Sequence, residues 1–161
     1  MPTAVVNNPG AVAGQCVDAM GATFFRGNKA GTFSVNRGDI LVKDASTTPD
    51  SYKVPAAGAS IAGPFYIATQ PSTTTETGVS LAMGGLWYIV GDNAIEPGDD
   101  VMLSTSTAGH VMLSTAVTTV ALLQGKVGVS MGFADNYGRG APTASAAGDL
   151  CVVDMNAGYR G

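Results

Sequence analysis

The chain is short of charge. Only 12% of its 161 residues are Asp, Glu, Lys or Arg, about half the ~25% of an ordinary soluble domain. Basic residues are the scarcer sign, 8 against 12 acidic, for a formal net charge of −4. Nucleic-acid binding draws its affinity from cationic side chains on phosphates, so this balance argues against it. There is one histidine, His110, and there are two cysteines, Cys16 and Cys151. A single imidazole without Cys or Glu at ligand spacing makes no zinc motif, and neither cysteine belongs to a CxxC pair. The first residues show no basic stretch followed by an apolar one, so no signal peptide is expected. No apolar run reaches the ~18 residues of a membrane-spanning helix. Without an export signal, two free thiols are expected rather than a disulfide. Gly27-Asn28-Lys29-Ala30-Gly31-Thr32 has Gly and Lys in the wrong order for a phosphate-binding loop. Neither cysteine is flanked by the glycines of a catalytic elbow. The expectation is therefore a protein that is not an enzyme and holds no cofactor.

Glycine is what the chain has in excess, 22 of 161 residues, against an average near ~7%. Hydrophobic residues make up 45%, so a disordered chain, which is poor in them, is excluded. The length suits one domain with a real core, read here as residues 15–161 behind an extended N-terminal arm of residues 1–14. A surface with few charges and many Ser, Thr, Ala and Gly is either solvated by hydroxyls or covered by other subunits. Interface cores are depleted in charge, so both fit.

Short β-rich segments recur between Gly, Pro, Asn and Asp. Strands are expected at residues 22–26, 32–35, 39–43, 64–68, 86–90, 100–105, 110–115, 118–123, 126–130 and 149–155, each rich in Val, Ile, Leu, Thr or aromatics. The segment 116–123 is apolar enough for a helix, but Val117, Thr118, Thr119 and Val120 are β-branched and favour a strand. Residues 72–80 read as a Thr-rich loop. The class is all-β, a small barrel or sandwich with short strands and long loops.

Two recurrences stand out. Val101-Met102-Leu103-Ser104-Thr105 returns letter for letter at residues 111–115. Two like strands around a short loop read as a hairpin, with Gly109 at a positive-φ position. Alternation puts Val101 and Leu103 on an apolar face and Met102 and Ser104 on a mixed one. The second recurrence is Gly-Asp before an apolar run, at Gly38-Asp39, Gly98-Asp99 and Gly148-Asp149. Gly takes the turn, Asp bonds nearby backbone N–H groups, and a strand follows. These seven residues are the structural candidates. Arg37-Gly38-Asp39 also spells an integrin-binding tripeptide, but its place in the recurring turn makes chance the better account.

Other features carry less. The carboxylates Asp92, Glu96, Asp99 and Asp100 fall close together, in a spacing that is not an EF-hand, and read as a solvated turn rather than a calcium loop. Phe24-Phe25, Phe65-Tyr66 and Trp87-Tyr88 are adjacent aromatic pairs, each placing one ring inward and one outward on a strand. An outward ring serves an interface or stacks on a sugar.

In their order, Ile95-Glu96-Pro97-Gly98-Asp99-Asp100-Val101, His110-Val111, Gly125-Lys126-Val127-Gly128-Val129-Ser130 and Ala146-Ala147-Gly148-Asp149-Leu150-Cys151-Val152-Val153 make the chain resemble the capsid cement, or decoration, proteins of tailed bacteriophages built on a small β-barrel, the β-tulip. The likeness runs from about residue 35 to 155, interrupted by the insert at 70–80 and the loop at 133–145. It implies a structural virion protein on the outer face of an icosahedral head, made in the host cytoplasm and holding neighbouring major capsid protein subunits together. It implies a homotrimer at threefold or quasi-threefold sites, less often a dimer, with no nucleic acid and no membrane. The N-terminal arm would add a strand to an edge of the capsid protein. The alternatives are another virion module, of tail or fibre, and a carbohydrate-binding β-sandwich using Trp87 and Tyr88.

Overall fold

A computed structural model describes residues 12–44, 50–57, 61–114, 119–133 and 150–159. Eleven strands follow one another: β1 (Cys16–Asp18), β2 (Thr23–Lys29), β3 (Ile40–Lys43), β4 (Ser51–Lys53), β5 (Phe65–Ala68), β6 (Gly78–Met83), β7 (Leu86–Val90), β8 (Asp100–Leu103), β9 (Val111–Leu113), β10 (Lys126–Phe133) and β11 (Leu150–Asp154). One short helix, α1 (Val120–Gln124), precedes β10, and a 3-10 turn over Met155–Ala157 follows β11. The all-β reading holds: β2–β6 close a five-stranded barrel, and the other strands form a six-stranded sheet.

The local expectations hold unevenly. Of the strand expected at residues 118–123, the described residues 119–123 are not extended; Val120–Gln124 is helical. Strand propensity is a statement about packing on a pleated surface, and here Val120 is 70% exposed rather than packed on one. Residues 32–35 contribute only an isolated bridge, Val35 to Ser72. Three strands arise where none was expected, β1, β4 and β6, and β6 begins inside the segment read as a Thr-rich loop.

The barrel and the sheet are one pattern used twice. The barrel runs β4-β3-β5-β6-β2 and closes between β2 and β4; the sheet runs β9-β8-β10-β11-β7, with β1 added beyond β7. Adding five to each strand number of the barrel gives the sheet order. Neighbours within both runs are antiparallel. The closing pair β2–β4 is parallel, and in the sheet a lone parallel bridge, Gly91 to Val111, joins the end of β7 to the start of β9. Register agrees as well: Ile40 faces Ile67 where Asp100 faces Val129, and Phe25 faces Leu81 where Trp87 faces Val153.

Alternation then decides the cores. Leu41, Tyr52, Tyr66, Ala68, Val79 and Leu81 fill the barrel with Phe25. The rings of Phe25, Tyr52 and Tyr66 meet edge to face, at 5.5 Å and 5.0 Å between centroids, a favoured aromatic geometry. The other faces of β3 and β5, with Ile40, Val42, Phe65 and Ile67, pack against Trp87, Ile89, Val101, Val111, Cys151 and Val153 of the sheet. Burial on both faces explains why Ile40-Leu41-Val42 and Phe65-Tyr66-Ile67-Ala68 are unbroken apolar runs.

Candidate functional site

The Gly-Asp turns are built alike. Asp39 N–H donates to Asn36 O and Asp99 N–H to Glu96 O, both at 3.1 Å, and Gly38 and Gly98 take φ of 89° and 90°. A positive φ at the third position is the type II pattern, which suits Gly there and Pro97 before Gly98. Each Asp carboxylate then accepts the first residue's N–H: Asn36 N to Asp39 Oδ2 at 2.8 Å, Glu96 N to Asp99 Oδ2 at 2.7 Å. Each turn also clamps the opposite strand. Gly38 N–H donates to Ala68 O and Ala68 N–H to Asp39 O; Gly98 N–H donates to Ser130 O and Ser130 N–H to Asp99 O. Gly109, at φ 83°, shapes the β8–β9 hairpin loop, whose strands pair Met102 with Met112. Gly148 and Asp149 lie outside the described residues, as do residues 1–11 of the expected arm.

Residues 12–14, assigned to that arm from sequence, belong to the fold. Gln15 N–H bonds Val12 O at 3.1 Å around Gly14, φ 80°, a third turn of the same kind. It covers the Gly38 turn so closely that a Cβ on Gly38 would lie 2.6 Å from Ala13 Cβ. The Arg37-Gly38-Asp39 tripeptide is thus unsuited to integrin display, with Gly38 covered and Asp39 buried at 8% exposure.

The most polar cluster lies in the sheet half, beside its contact with the barrel. His110 Nδ1 lies 2.8 Å from Asp92 Oδ1. Ser104 Oγ donates to Asp92 Oδ2 and accepts from the N–H groups of Ser106 and Thr107. Beside them Ile40 N–H donates to Gly109 O, and a Cβ on Gly109 would be 2.7 Å from Asp39 Oδ1. Burial works against the Asp92 carboxylate, but the hydrogen bonds from Ser104 and His110 and the imidazole's charge outweigh it and hold its carboxyl below the usual range. Burial pushes the Asp39 carboxyl up, against the Asn36 hydrogen bond and the nearby His110. A hydrolytic relay needs the hydroxyl on the imidazole. Here both Ser104 and His110 are bonded to Asp92, an arrangement that fastens the β8–β9 hairpin loop to the chain leaving β7. His110, which makes no metal motif in the sequence, has this role through a partner 18 positions earlier in the chain, and no local motif signals such a pairing.

The remaining candidates separate. Asp99 bonds Glu96 N–H, Asp100 pairs with Lys126 at 2.9 Å, and Asp92 is engaged as above. Among the described residues no group of three His, Cys, Asp or Glu side chains is placed to hold a metal ion. Trp87 and Tyr88 are buried, at 1% and 0% exposure, and the Trp87 indole N–H donates to Gly84 O. Neither ring can stack on a sugar, so that use of them is corrected. Cys16 and Cys151 are free thiols; burial pushes Cys151 up to about 12. Large apolar side chains do reach solvent at separate places: Met20, Phe24, Val120, Leu123 and Met131.

The fold so defined is a small closed β-barrel packed on a β-sheet. A solved structure described as the head fibre gp8.5 N base of bacteriophage phi29 is similar to it, with a TM-score of 0.55 and 12% sequence identity, over 87% of this chain and 98% of that one. No family model matches the sequence, and no curated protein does.

Proposed function

We propose that this is a structural virion protein that binds the outer surface of a phage head and cements neighbouring major capsid protein subunits as a homotrimer. The observation that carries the virion reading is the fold likeness to a phage head fibre base across nearly the whole of both chains. The polar groups support it: Asp92, His110 and Ser104 bond one another at the β8–β9 hairpin loop, which leaves no hydroxyl on the imidazole. A chain with only 12% charged residues suits broad contact with other subunits.

The same likeness favours one alternative, a base module of a head fibre. The two differ in where and how many copies bind. The test mixes the purified protein with heads assembled from a phage major capsid protein, lacking this chain. Occupancy is counted by electron microscopy and the free mass by light scattering. A trimer saturating the threefold positions is expected. Binding confined to a few special positions would favour the fibre base, and no binding to heads would overturn both.

A further inference from the structure

The internal repeat shows one turn covered and its counterpart open. In the barrel half, the Gly38 turn is capped by the Gly14 turn, glycine against glycine: a Cβ on Gly14 would meet Gly38 N at 2.5 Å and Ala68 O at 2.9 Å. In the sheet half, Gly98 has the same φ, the same carboxylate bond and the same clamp onto the opposite strand. Yet a Cβ on Gly98 would meet nothing within 4 Å among the described residues. Around it Ala94, Glu96 and Pro97 are exposed, and Met131, next to the clamped Ser130, is 53% exposed. A platform that one half fills with a tight glycine turn is left open by the other among the described residues.

We infer that this platform, formed by Pro97, Gly98 and Met131, seats the Asn8-Pro9-Gly10-Ala11 segment of a second copy of the chain. The first half states the chemistry of the occupant: a turn with Gly at its third position, small enough for backbones to touch. Asn8-Pro9-Gly10-Ala11 carries the strongest sequence signature for such a turn, Pro second and Gly third. Residues 2–15 contain no charged side chain, so nothing in the segment repels Glu96 or must be stripped of strong hydration at the apolar rim. The copy is a second one for reasons of reach. Gly14 sits on Gly38, and Asp39 abuts Gly109 in the hairpin loop at the far end of β8 from Gly98. Gly98 to Ser104 is close to extended, about 20 Å at the rise of a strand. Gly10, four residues from Gly14, extends at most about 14 Å from it. The seat is independent of the phage-head reading and stands or falls without it.

The test is a cross-link between differently marked chains. Cys16→Ser removes the half-buried thiol, while buried Cys151 stays. One preparation then carries Asn8→Cys and the other Met131→Cys, the latter replacing an exposed side chain. The two are mixed, oxidised mildly, and the joined peptides identified by mass. The expected result is an 8–131 disulfide between chains, formed at least tenfold faster than the same oxidation of Asn8→Cys mixed with Thr107→Cys. A double variant that closes the 8–131 bond only within one chain would overturn the second copy as occupant. Equal rates for the 131 and 107 partners would overturn the platform itself. Circular dichroism of each variant before mixing verifies that the fold is intact.

Discussion

At the scale of single residues, the repeat supplies its own control experiment. Gly38 and Gly98 have nearly the same φ, so an Ala at either meets the same left-handed strain, about 1–2 kcal/mol. Only at Gly38 does the new methyl also collide, with Ala13 Cβ and backbone within 2.7 Å. Gly38→Ala is expected to cost at least ~1 kcal/mol more than Gly98→Ala, read as the difference in urea midpoints at constant slope; equal costs would mean that the Gly14 turn does not press on Gly38. The Asp92 carboxyl makes a prediction in pH. Its folded value lies below the usual one, so its stabilisation is present above the unfolded value near ~3.9 and is lost as pH falls through the folded value. Asp39 has the opposite sign: raised by burial, it favours the folded state more as acid protonates it. Asp92→Asn should therefore flatten the acid limb of the stability curve, while Asp39→Asn should steepen it. The check is thermal melting between pH 3 and 7, and a steeper limb in Asp92→Asn would refute the assignment.

At the scale of elements, the two halves divide the same volume differently. Gly27 in β2 leaves space for the Tyr52 ring; a Cβ there would lie 2.4 Å from Tyr52 Cε2. The register equates Gly27 with Ile89 and Tyr52 with Val111, so a small–large pair in the barrel becomes two middle-sized aliphatics in the sheet. Gly27→Ile alone should overpack the barrel and Tyr52→Val alone should leave a cavity, each costing about 1–4 kcal/mol. Combined, they should cost less than their sum by at least ~1 kcal/mol in a double-mutant cycle; strict additivity would show that the two positions do not share space. This exchange also explains what was legible. Strands buried on both faces, such as β3, β5 and β7, are unbroken apolar runs and could be read from the sequence. The strands β1 and β4 are three residues long and include Asp18, Ser51 and Lys53, and they owe their state to pairing with distant partners. The helix α1 was missed because its β-branched Val120 is exposed rather than packed on a sheet. The Gly-Asp recurrence was visible at positions 38 and 98, 60 apart, but the repeat around it was hidden by exchanges such as Gly27 and Tyr52 for Ile89 and Val111.

At the scale of the whole molecule, the question is whether two similar halves behave as one. Their packing says that they do. The largest cluster of buried residues takes Ile40, Val42, Phe65, Ile67 and Ala82 from the barrel and Trp87, Ile89, Val101, Val111, Cys151 and Val153 from the sheet. Neither half covers that surface alone, and exposing it on both sides would forfeit roughly 1.5–3 kcal/mol for each large side chain. The polar fastening points the same way, because Ile40 N–H to Gly109 O and the Asp39 contact with Gly109 tie the barrel's first Gly-Asp turn to the sheet's hairpin. Trp87, the single tryptophan, is 1% exposed in this shared layer and meets the Phe24 ring of the barrel edge to face at 5.7 Å. Its fluorescence therefore reports the docking of the halves, whereas far-ultraviolet circular dichroism reports strands in both. In urea the two signals should change together, with one midpoint and one slope. If tryptophan fluorescence shifted first while most of the strand signal remained, the halves would be separate folding units that merely lean on each other.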